Sequence, residues 1–199
     1  MSRHIKVGFE SEKAYDRRCA EGFWDLYAQG PVVLDIGYRG GTPDAQPILP
    51  HAIGIELDTP GYDGFNLPYA DETVDCVHSS HVLEHVTDSI GSLREWFRVL
   101  KPGGHLILFI PHAYLYERSI SMPSRWSGEH RRMYTPADLL CEIEAAIPPN
   151  HYRIRHFRDN DTGYDYTLPP EVHPVGVLEI ELVLQKITPP SWKVRGDGR

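Results

Sequence analysis

The strongest constraint on the fold is a glycine-rich turn that directly follows a short apolar segment. The segment reads Val-Val-Leu-Asp-Ile at 32–36 and continues as Gly-Tyr-Arg-Gly-Gly at 37–41. A second apolar segment, Ala-Ile-Gly-Ile at 52–55, ends on Glu56, about twenty residues after the turn. Glycines let the backbone approach a ligand closely, and an acid that ends the second strand can accept hydrogen bonds from both ribose hydroxyls. The pattern therefore predicts a nucleoside-binding site.

The kind of nucleoside follows from what this turn lacks. A dinucleotide site reads G-x-G-x-x-G, but here Gly37 is followed by Tyr38 and Arg39. Asp35 stands just before the first glycine, where its charge would repel a pyrophosphate but attract the ammonium group of an amino acid. The turn therefore favours S-adenosylmethionine over a nicotinamide or flavin dinucleotide.

Three later motifs, in order, extend this interpretation. They are Asp63 to Tyr69, His-Val-Leu-Glu-His at 81–85 and Leu-Lys-Pro-Gly-Gly at 100–104. With the turn they resemble the class I S-adenosylmethionine-dependent methyltransferases, especially the small-molecule, type 11-like branch, over roughly residues 32 to 147. The resemblance implies S-adenosyl-L-methionine as cofactor, with a binding set of Asp35, Gly37, Gly40, Gly41, Glu56, Asp63, Leu67, Ser80 and His81.

Two features depart from the family pattern. Arg39 stands where the family has its middle glycine, so its side chain either points to solvent or obstructs the methionine moiety of the cofactor. Three prolines between 42 and 50 allow only a short, distorted first helix after the turn.

Asp58 is the alternative to Glu56 as the acid that binds the ribose hydroxyls.

The alternation of segments predicts an α/β fold. A continuous apolar run at 105–110 is typical of a parallel strand covered on both faces, whereas 178–185 alternates apolar and polar residues like a half-buried strand. Helices are predicted before and between the strands, with caps at Thr87 or Asp88 and at Thr135. We expect a doubly wound, Rossmann-like, seven-stranded sheet that is mostly parallel, with an antiparallel strand near the C-terminus.

Length and composition favour one globular domain at 1–188 with a leading helix at 1–30 and a flexible tail at 189–199. The net charge of −8 argues against duplex nucleic acid as a partner. No apolar run is long enough for a membrane span, and three scattered cysteines are most simply reduced core thiols, so we expect a cytoplasmic protein. The sequence leaves the oligomeric state open.

Two segments are expected to form the acceptor side of the site, 112–134 and 159–176. Long structured segments at this edge of a sheet usually bind ligands, and aromatic rings with arginine forks suit a ring or sugar that carries an anionic group. The alternative is that these aromatic residues only pack the insertion. The predicted substrate-binding residues are Tyr116, Arg125, Trp126, Arg131 and Arg132.

Either His112 or His130 is predicted to be the base that removes the acceptor's proton, with His85 as a weaker third candidate. His81-x-x-Glu84-His85 also has the spacing of an inverted zinc-hydrolase motif. Because relatives use this segment to line the cofactor site, we expect no metal.

The sequence thus predicts a methyltransferase that acts on a hydroxyl or amine of a small molecule, such as a sugar, a sugar nucleotide or a secondary metabolite. Two alternatives remain. One is methylation of a protein or an RNA, and the other is a methyltransferase-like binding domain that has lost catalysis, which Arg39 would explain.

Overall fold

A six-stranded sheet forms the centre of the molecule. The computed structural model describes residues 5–119 and 121–192. The strands are β1 (Val33–Ile36), β2 (Ile53–Ile55), β3 (Val74–Ser80), β4 (Leu100–Pro111), β5 (Tyr152–Asn160) and β6 (Glu179–Lys186), in the order β2-β1-β3-β4-β6-β5. β2, β1, β3 and β4 pair in parallel, and β6 runs antiparallel to both β4 and β5. The predicted architecture is confirmed, although the described residues form six strands rather than seven.

The segment between β2 and β3 makes turns instead of a strand. Gly61 and Gly64 both adopt positive φ angles, 81° and 89°. The Asp63 carboxylate accepts hydrogen bonds from the backbone N–H groups of Phe65 and Asn66, which fixes a tight turn. β2 is therefore the edge of the sheet.

The described residues form four α-helices beside the sheet: α1 (Phe9–Ala20), α2 (Phe23–Tyr27), α3 (Ser89–Val99) and α4 (Pro136–Ala146). A single leading helix was predicted, but Gly22 at φ 68° separates α1 from α2. The caps agree with the prediction, because Asp88 accepts from Gly91 N and Thr135 forms a capping box with Asp138. The proline-rich segment 42–50 forms turns and no helix.

Two apolar layers cover the sheet. β4 contributes to both, with Leu106, Leu108 and Ile110 in one layer and Ile107 and Phe109 in the other. The first layer packs against α3 and α4, and the second against α2. The continuous apolar run at 105–110 is thus buried on both faces, as predicted.

Buried charges on β6 correct the prediction of a half-buried strand. Glu179 and Glu181 are 2% and 0% exposed. Both pair with the fully buried guanidinium of Arg18 on α1, which also lies 3.5 Å from the centroid of the Phe109 ring. His156 Nε2 lies 2.9 Å from Glu181 Oε2. Paired charges therefore lie in the second apolar layer, between β6 and α1. The alternating pattern had predicted that these glutamates would face solvent.

The three cysteines are free, but only Cys76 is buried, whereas Cys19 and Cys141 are exposed. The expectation of three core thiols was therefore wrong for two of them. None of the helices in the described part of the chain is long and apolar enough to cross a membrane.

Candidate active site

A cleft of about 1190 Å³ opens where β1, β2 and β3 end. Its walls come from the glycine turn after β1, the segment that follows β2, the loop 81–88 after β3 and residues 128–131. Ligands of open α/β sheets bind at this carboxyl edge, where neighbouring connections diverge. The volume suits a ligand of nucleoside size together with a second small molecule.

The glycine turn forms one wall of the cleft. Gly37, Gly40 and Gly41 all line it and adopt positive φ angles of 68°, 49° and 76°. A Cβ atom on Gly37 would lie 2.3 Å from Val82 Cγ2. The turn can therefore be built only with glycine at this first position, and it holds its backbone against the loop after β3.

Glu56 extends from the end of β2 into the cleft, as predicted for the ribose acid. Its Oε1 accepts the backbone N–H of Arg39 at 2.8 Å, and no hydrogen bond reaches Oε2 from the described residues. The Arg39 guanidinium pairs with Asp58 Oδ2 at 2.7 Å, and the Asp58 side chain is 65% exposed. Arg39 is thus held at the solvent-facing rim, and Asp58 is engaged in that pair. These residues fit an adenosine moiety with one acidic oxygen available for ribose.

Asp63 and Leu67, the two residues predicted to contact adenine, differ in their positions relative to the cleft. Asp63 lies at the cleft, but its oxygens accept hydrogen bonds from Phe65 N, Asn66 N and the Asn66 side chain. These bonds also lower the pKa of Asp63. Leu67 is buried in the core outside the lining, and Phe65 lines the cleft in its place. Sequence reasoning missed Phe65, although it lies within the same motif.

Asp35 and Ser80 also lie outside the cleft lining. Asp35 is 3% exposed, and its oxygens contact His78 Nδ1 at 2.6 Å and Ile48 N at 2.6 Å. Trp24 covers His78, with ring centroids 5.6 Å apart. Both oxygens of Asp35 are therefore engaged below the turn, and its support of the cofactor site is indirect. Ser80 is buried at the end of β3.

His81 lines the cleft in a strained conformation. Its φ angle is 54°, a left-handed value that is uncommon for a residue with a side chain. Its Nε2 lies 3.3 Å from Glu179 Oε2. Burial alone would lower the pKa of His81, but the neighbouring carboxylates, chiefly Glu179 and Glu84, outweigh it and raise that pKa.

Three histidines surround the Glu84 carboxylate beside the cleft. Oε1 of Glu84 lies 3.7 Å from His85 Nε2 and 3.9 Å from both His130 Nε2 and His81 Nδ1. Glu84 is fully buried, and within the described residues neither of its oxygens has a hydrogen-bond partner. His130 bonds Glu117 through Nδ1. The sequence had predicted His130 but gave no sign that Glu84 and Glu117 would lie beside it.

The loop that carries Glu84 is not a helix, so the inverted zinc-hydrolase motif is not built in its usual form. That motif would take His81 and His85 as ligands from one helical turn. Instead, the close group consists of Glu84, His85 and His130.

His112 lies outside the cleft lining. It is 5% exposed, and its Nδ1 accepts the N–H groups of Tyr114 and Leu115, which starts the π-helical turn Ala113–Glu117. Burial lowers the pKa of His112, and the Asp159 carboxylate at 3.5 Å opposes this only in part. The structure therefore gives His112 a local structural role and leaves His130 as the predicted base at the cleft.

The predicted arginines serve different purposes. Arg131 lines the cleft and donates from Nε to the backbone oxygen of His85. Arg132 lies outside the lining and donates to the backbone oxygens of Leu83, Val86 and Thr87. The prediction of an arginine at the cleft is thus supported for Arg131, whereas Arg132 holds the loop after β3.

Segments 112–134 and 159–176 contact each other. Arg125 is exposed and donates to the backbone oxygen of Pro170. The rings of Trp126 and His173 lie 4.9 Å apart, and Tyr116 lies 5.9 Å from His130 and 5.6 Å from His173. Tyr116 therefore borders the histidine cluster, while Arg125 and Trp126 connect the two segments.

Sequence comparison gives short but consistent matches. A family described as a methyltransferase domain matches residues 55–108. The ubiquinone/menaquinone biosynthesis C-methyltransferase of Klebsiella pneumoniae is 52% identical over 42 residues, 21% of this chain and 17% of that protein. The demethylmenaquinone methyltransferase of Streptomyces griseus is 46% identical over 78 residues, 39% of this chain and 30% of that protein. The chain thus spans less than a third of the length of these relatives.

Similar folds occur in solved structures. A methyltransferase from Methanosarcina mazei has a TM-score of 0.57 at 18% identity, covering 83% of this chain and 97% of that one. A methyltransferase from Aquifex aeolicus has a TM-score of 0.54 at 15% identity, covering 90% and 94%. The cyclase SpnF has a TM-score of 0.55 at 18% identity, covering 94% and 88%. Fold and family match confirm the predicted resemblance to type 11 class I methyltransferases, and the family implies S-adenosyl-L-methionine as cofactor.

Proposed function

We propose that the protein transfers a methyl group from S-adenosyl-L-methionine to a hydroxyl or amine of a small molecule. One observation carries the proposal: the glycine turn and Glu56 line the same cleft as His81, His85 and His130. The cleft thus combines residues suited to a nucleoside with groups that can receive or neutralise a proton.

The residues of this chain would act mainly by positioning. S-adenosyl-L-methionine supplies an electrophilic methyl group when it is bound. The glycine turn and Glu56 would hold the adenosine, and the segment with Arg131 and Tyr116 would hold the acceptor. Alignment of reacting atoms at about 3 to 3.5 Å accounts for much of the acceleration in such reactions. A histidine of the cluster would accept the proton that the acceptor loses. His130 is the histidine that Glu117 orients.

Three observations support a small acceptor. The cleft of about 1190 Å³ must also hold the cofactor, which leaves limited room. Residues 128–131 of the segment 112–134 line the cleft, and Arg125 and Trp126 of the same segment contact Pro170 and His173 in the segment 159–176. The net charge of −8 disfavours a polyanion. One relative is named a ubiquinone/menaquinone biosynthesis C-methyltransferase and the other a demethylmenaquinone methyltransferase, which supports including quinone-type rings and carbon acceptors in the test.

The experiment has two stages. Calorimetry with S-adenosylhomocysteine first tests cofactor binding, and a methyl-labelled cofactor is then offered with phenols, sugars, sugar nucleotides and amines. Labelled small-molecule product is expected, and its position distinguishes oxygen, nitrogen and carbon acceptors. Labelling of protein or RNA alone would refute the small-molecule acceptor. Cofactor binding without any transfer, against a full acceptor panel, would favour a binding domain.

The three free thiols also support a cytoplasmic location.

A further inference from the structure

The Glu84 carboxylate is the least compensated charge beside the cleft. It has no exposed surface, and neither oxygen has a hydrogen-bond partner within residues 5–119 and 121–192. Burial of a carboxylate whose oxygens accept no hydrogen bond costs several kcal/mol. The three histidine nitrogens nearest to it lie at 3.7 to 3.9 Å, too far for hydrogen bonds. A cation bound between the Glu84 oxygen and the histidine nitrogens would give each of these atoms a partner.

We infer that Glu84, His85 and His130 bind a divalent first-row transition metal ion such as Zn²⁺. One ligand atom from each of the three residues lies within 4.8 Å of the other two. Zinc binds imidazole nitrogen and carboxylate oxygen at about 2.0–2.2 Å, so two ligands on one tetrahedral ion lie about 3.3–3.5 Å apart. The two separations from Glu84, 3.7 Å to His85 and 3.9 Å to His130, need to close by about 0.2 to 0.6 Å, and the two histidine nitrogens lie within 4.8 Å of each other.

The surroundings of His130 are those of a metal ligand. Its Nδ1 is bonded to the buried carboxylate of Glu117, which in turn accepts the Ser124 hydroxyl. This arrangement fixes the tautomer and leaves Nε2 directed toward Glu84. A ligand histidine almost always has such an outer carboxylate or carbonyl partner. His81 repeats the pattern, with Glu179 on Nε2 and its Nδ1 toward Glu84.

The charge balance also fits. Glu84 and Glu117 place two buried carboxylates within one histidine cluster, and the two charges of a divalent cation would offset both. Imidazole ligands favour zinc, iron, cobalt or nickel over magnesium and calcium, which prefer oxygen. The inference therefore departs from the absence of metal that the sequence predicted.

Three protein ligands leave one coordination position open, as in catalytic rather than structural zinc sites. His85 and His130 both line the cleft, so that position faces the space for the acceptor. An oxygen or nitrogen atom of the acceptor would be the remaining ligand. With Nδ1 on Glu117 and Nε2 on the ion, His130 would then act as a ligand and not as the base, and the ion would instead make the acceptor's proton easier to lose. Only this last step rests on the proposed function, because metal binding itself requires no methyl transfer.

The test measures zinc directly. Protein stripped with a chelator and dialysed is titrated with Zn²⁺ by calorimetry, and bound metal is counted by elemental analysis. One ion per chain with micromolar or tighter affinity is expected. Glu84→Gln and His130→Ala should abolish stoichiometric binding, and Glu117→Gln should weaken it by about 10- to 100-fold. The matched control His51→Ala changes an exposed histidine and should bind zinc like the wild type.

Other outcomes are equally decisive. Stoichiometric zinc that persists in Glu84→Gln, or that disappears when Cys19 and Cys141 are replaced by serine, would overturn the assignment. Failure of the wild type to bind any of Zn²⁺, Co²⁺, Ni²⁺ or Fe²⁺ would overturn it as well. S-adenosylhomocysteine affinity, measured on the same samples, reports separately on folding and on the proposed function. A protein that binds zinc at Glu84 but no cofactor would keep this inference and refute the proposed function.

Discussion

The backbone N–H of Arg39 donates a hydrogen bond to Glu56 Oε1 at 2.8 Å. The residue that replaces the family's middle glycine thus connects the turn to the acid that ends β2. The connection uses only the backbone of Arg39, since its guanidinium pairs with Asp58 at the rim. The backbone hydrogen bond to Glu56 and the ion pair with Asp58 both bear on cofactor affinity, and substitutions at Glu56 and Arg39 test them separately.

Glu56→Ala should weaken S-adenosylhomocysteine binding by roughly 1 to 3 kcal/mol, because the ribose hydroxyls would lose a charged acceptor and the turn would lose its bond to β2. Calorimetry on the wild type and the variant measures the difference. Equal affinities would refute the ribose assignment.

Arg39→Ala should change the same affinity by less than about 1 kcal/mol, because an exposed ion pair contributes little and the backbone bond to Glu56 remains. The measurement is the same titration. A large gain in affinity would mean that the side chain obstructs the cofactor, which was the alternative left open by the sequence.

His130→Ala should lower kcat by about 10² to 10⁴ while cofactor affinity stays nearly constant, since Glu56 and the glycine turn are untouched. His112→Asn serves as the comparison, because an asparagine oxygen can still accept the N–H groups of Tyr114 and Leu115. We expect kcat of His112→Asn to remain near that of the wild type. Loss of turnover in His112→Asn but not in His130→Ala would reverse the two roles.

Arg131→Ala should mainly raise the KM for the acceptor, because this guanidinium lies at the cleft. Arg132→Ala should instead lower the free energy of unfolding, since three backbone oxygens of the loop after β3 would lose their donor. Steady-state kinetics and urea denaturation separate the two effects. An unchanged KM in Arg131→Ala would move the acceptor away from residues 128–131.

The stability of the fold should depend on pH through Glu181. Burial opposes ionisation, but His156, Arg18 and Arg17 outweigh it and lower the pKa of Glu181 from 4.5 to about 2. A lowered pKa stabilises the folded state above the unfolded value and loses that effect as the pH falls from 4.5 toward 2. Urea denaturation should therefore show a large difference between the wild type and Glu181→Gln near neutral pH, which narrows over this range. A difference in the free energy of unfolding that stays constant between pH 4.5 and 2 would contradict the lowered pKa of Glu181.

Local sequence signals predicted the fold well. Asp88 and Thr135 cap helices through residues within three positions of themselves, and the glycine turn depends on its own backbone conformation. The sequence did not predict burial correctly where it depends on contacts between residues far apart in the chain. The burial of Glu179 and Glu181 depends on Arg18, far away in the chain, and alternation alone suggests solvent there.

The same limit applies to the candidate site. Gly37, Glu56 and His81 were found from motifs, because their positions follow from strand ends. The proximity of Glu84 to His130 arises only when the segment after β4 folds back over the loop after β3. The engagement of Asp35 by His78 likewise depends on pairing between β1 and β3, which a motif does not report.

The pairing of Arg18 with Glu179 and Glu181 also orders events during synthesis. The guanidinium of Arg18 is fully buried against Phe109, yet its counter-charges lie on β6, more than 150 residues later in the chain. A nascent chain that ends before β6 can pair β1 to β4 but would have to bury an uncompensated cation to seat α1. α1 is therefore expected to dock only after β6 has formed, although α1 precedes the whole sheet in the chain, and a nascent chain that ends before β6 would keep that face of the sheet accessible to chaperones.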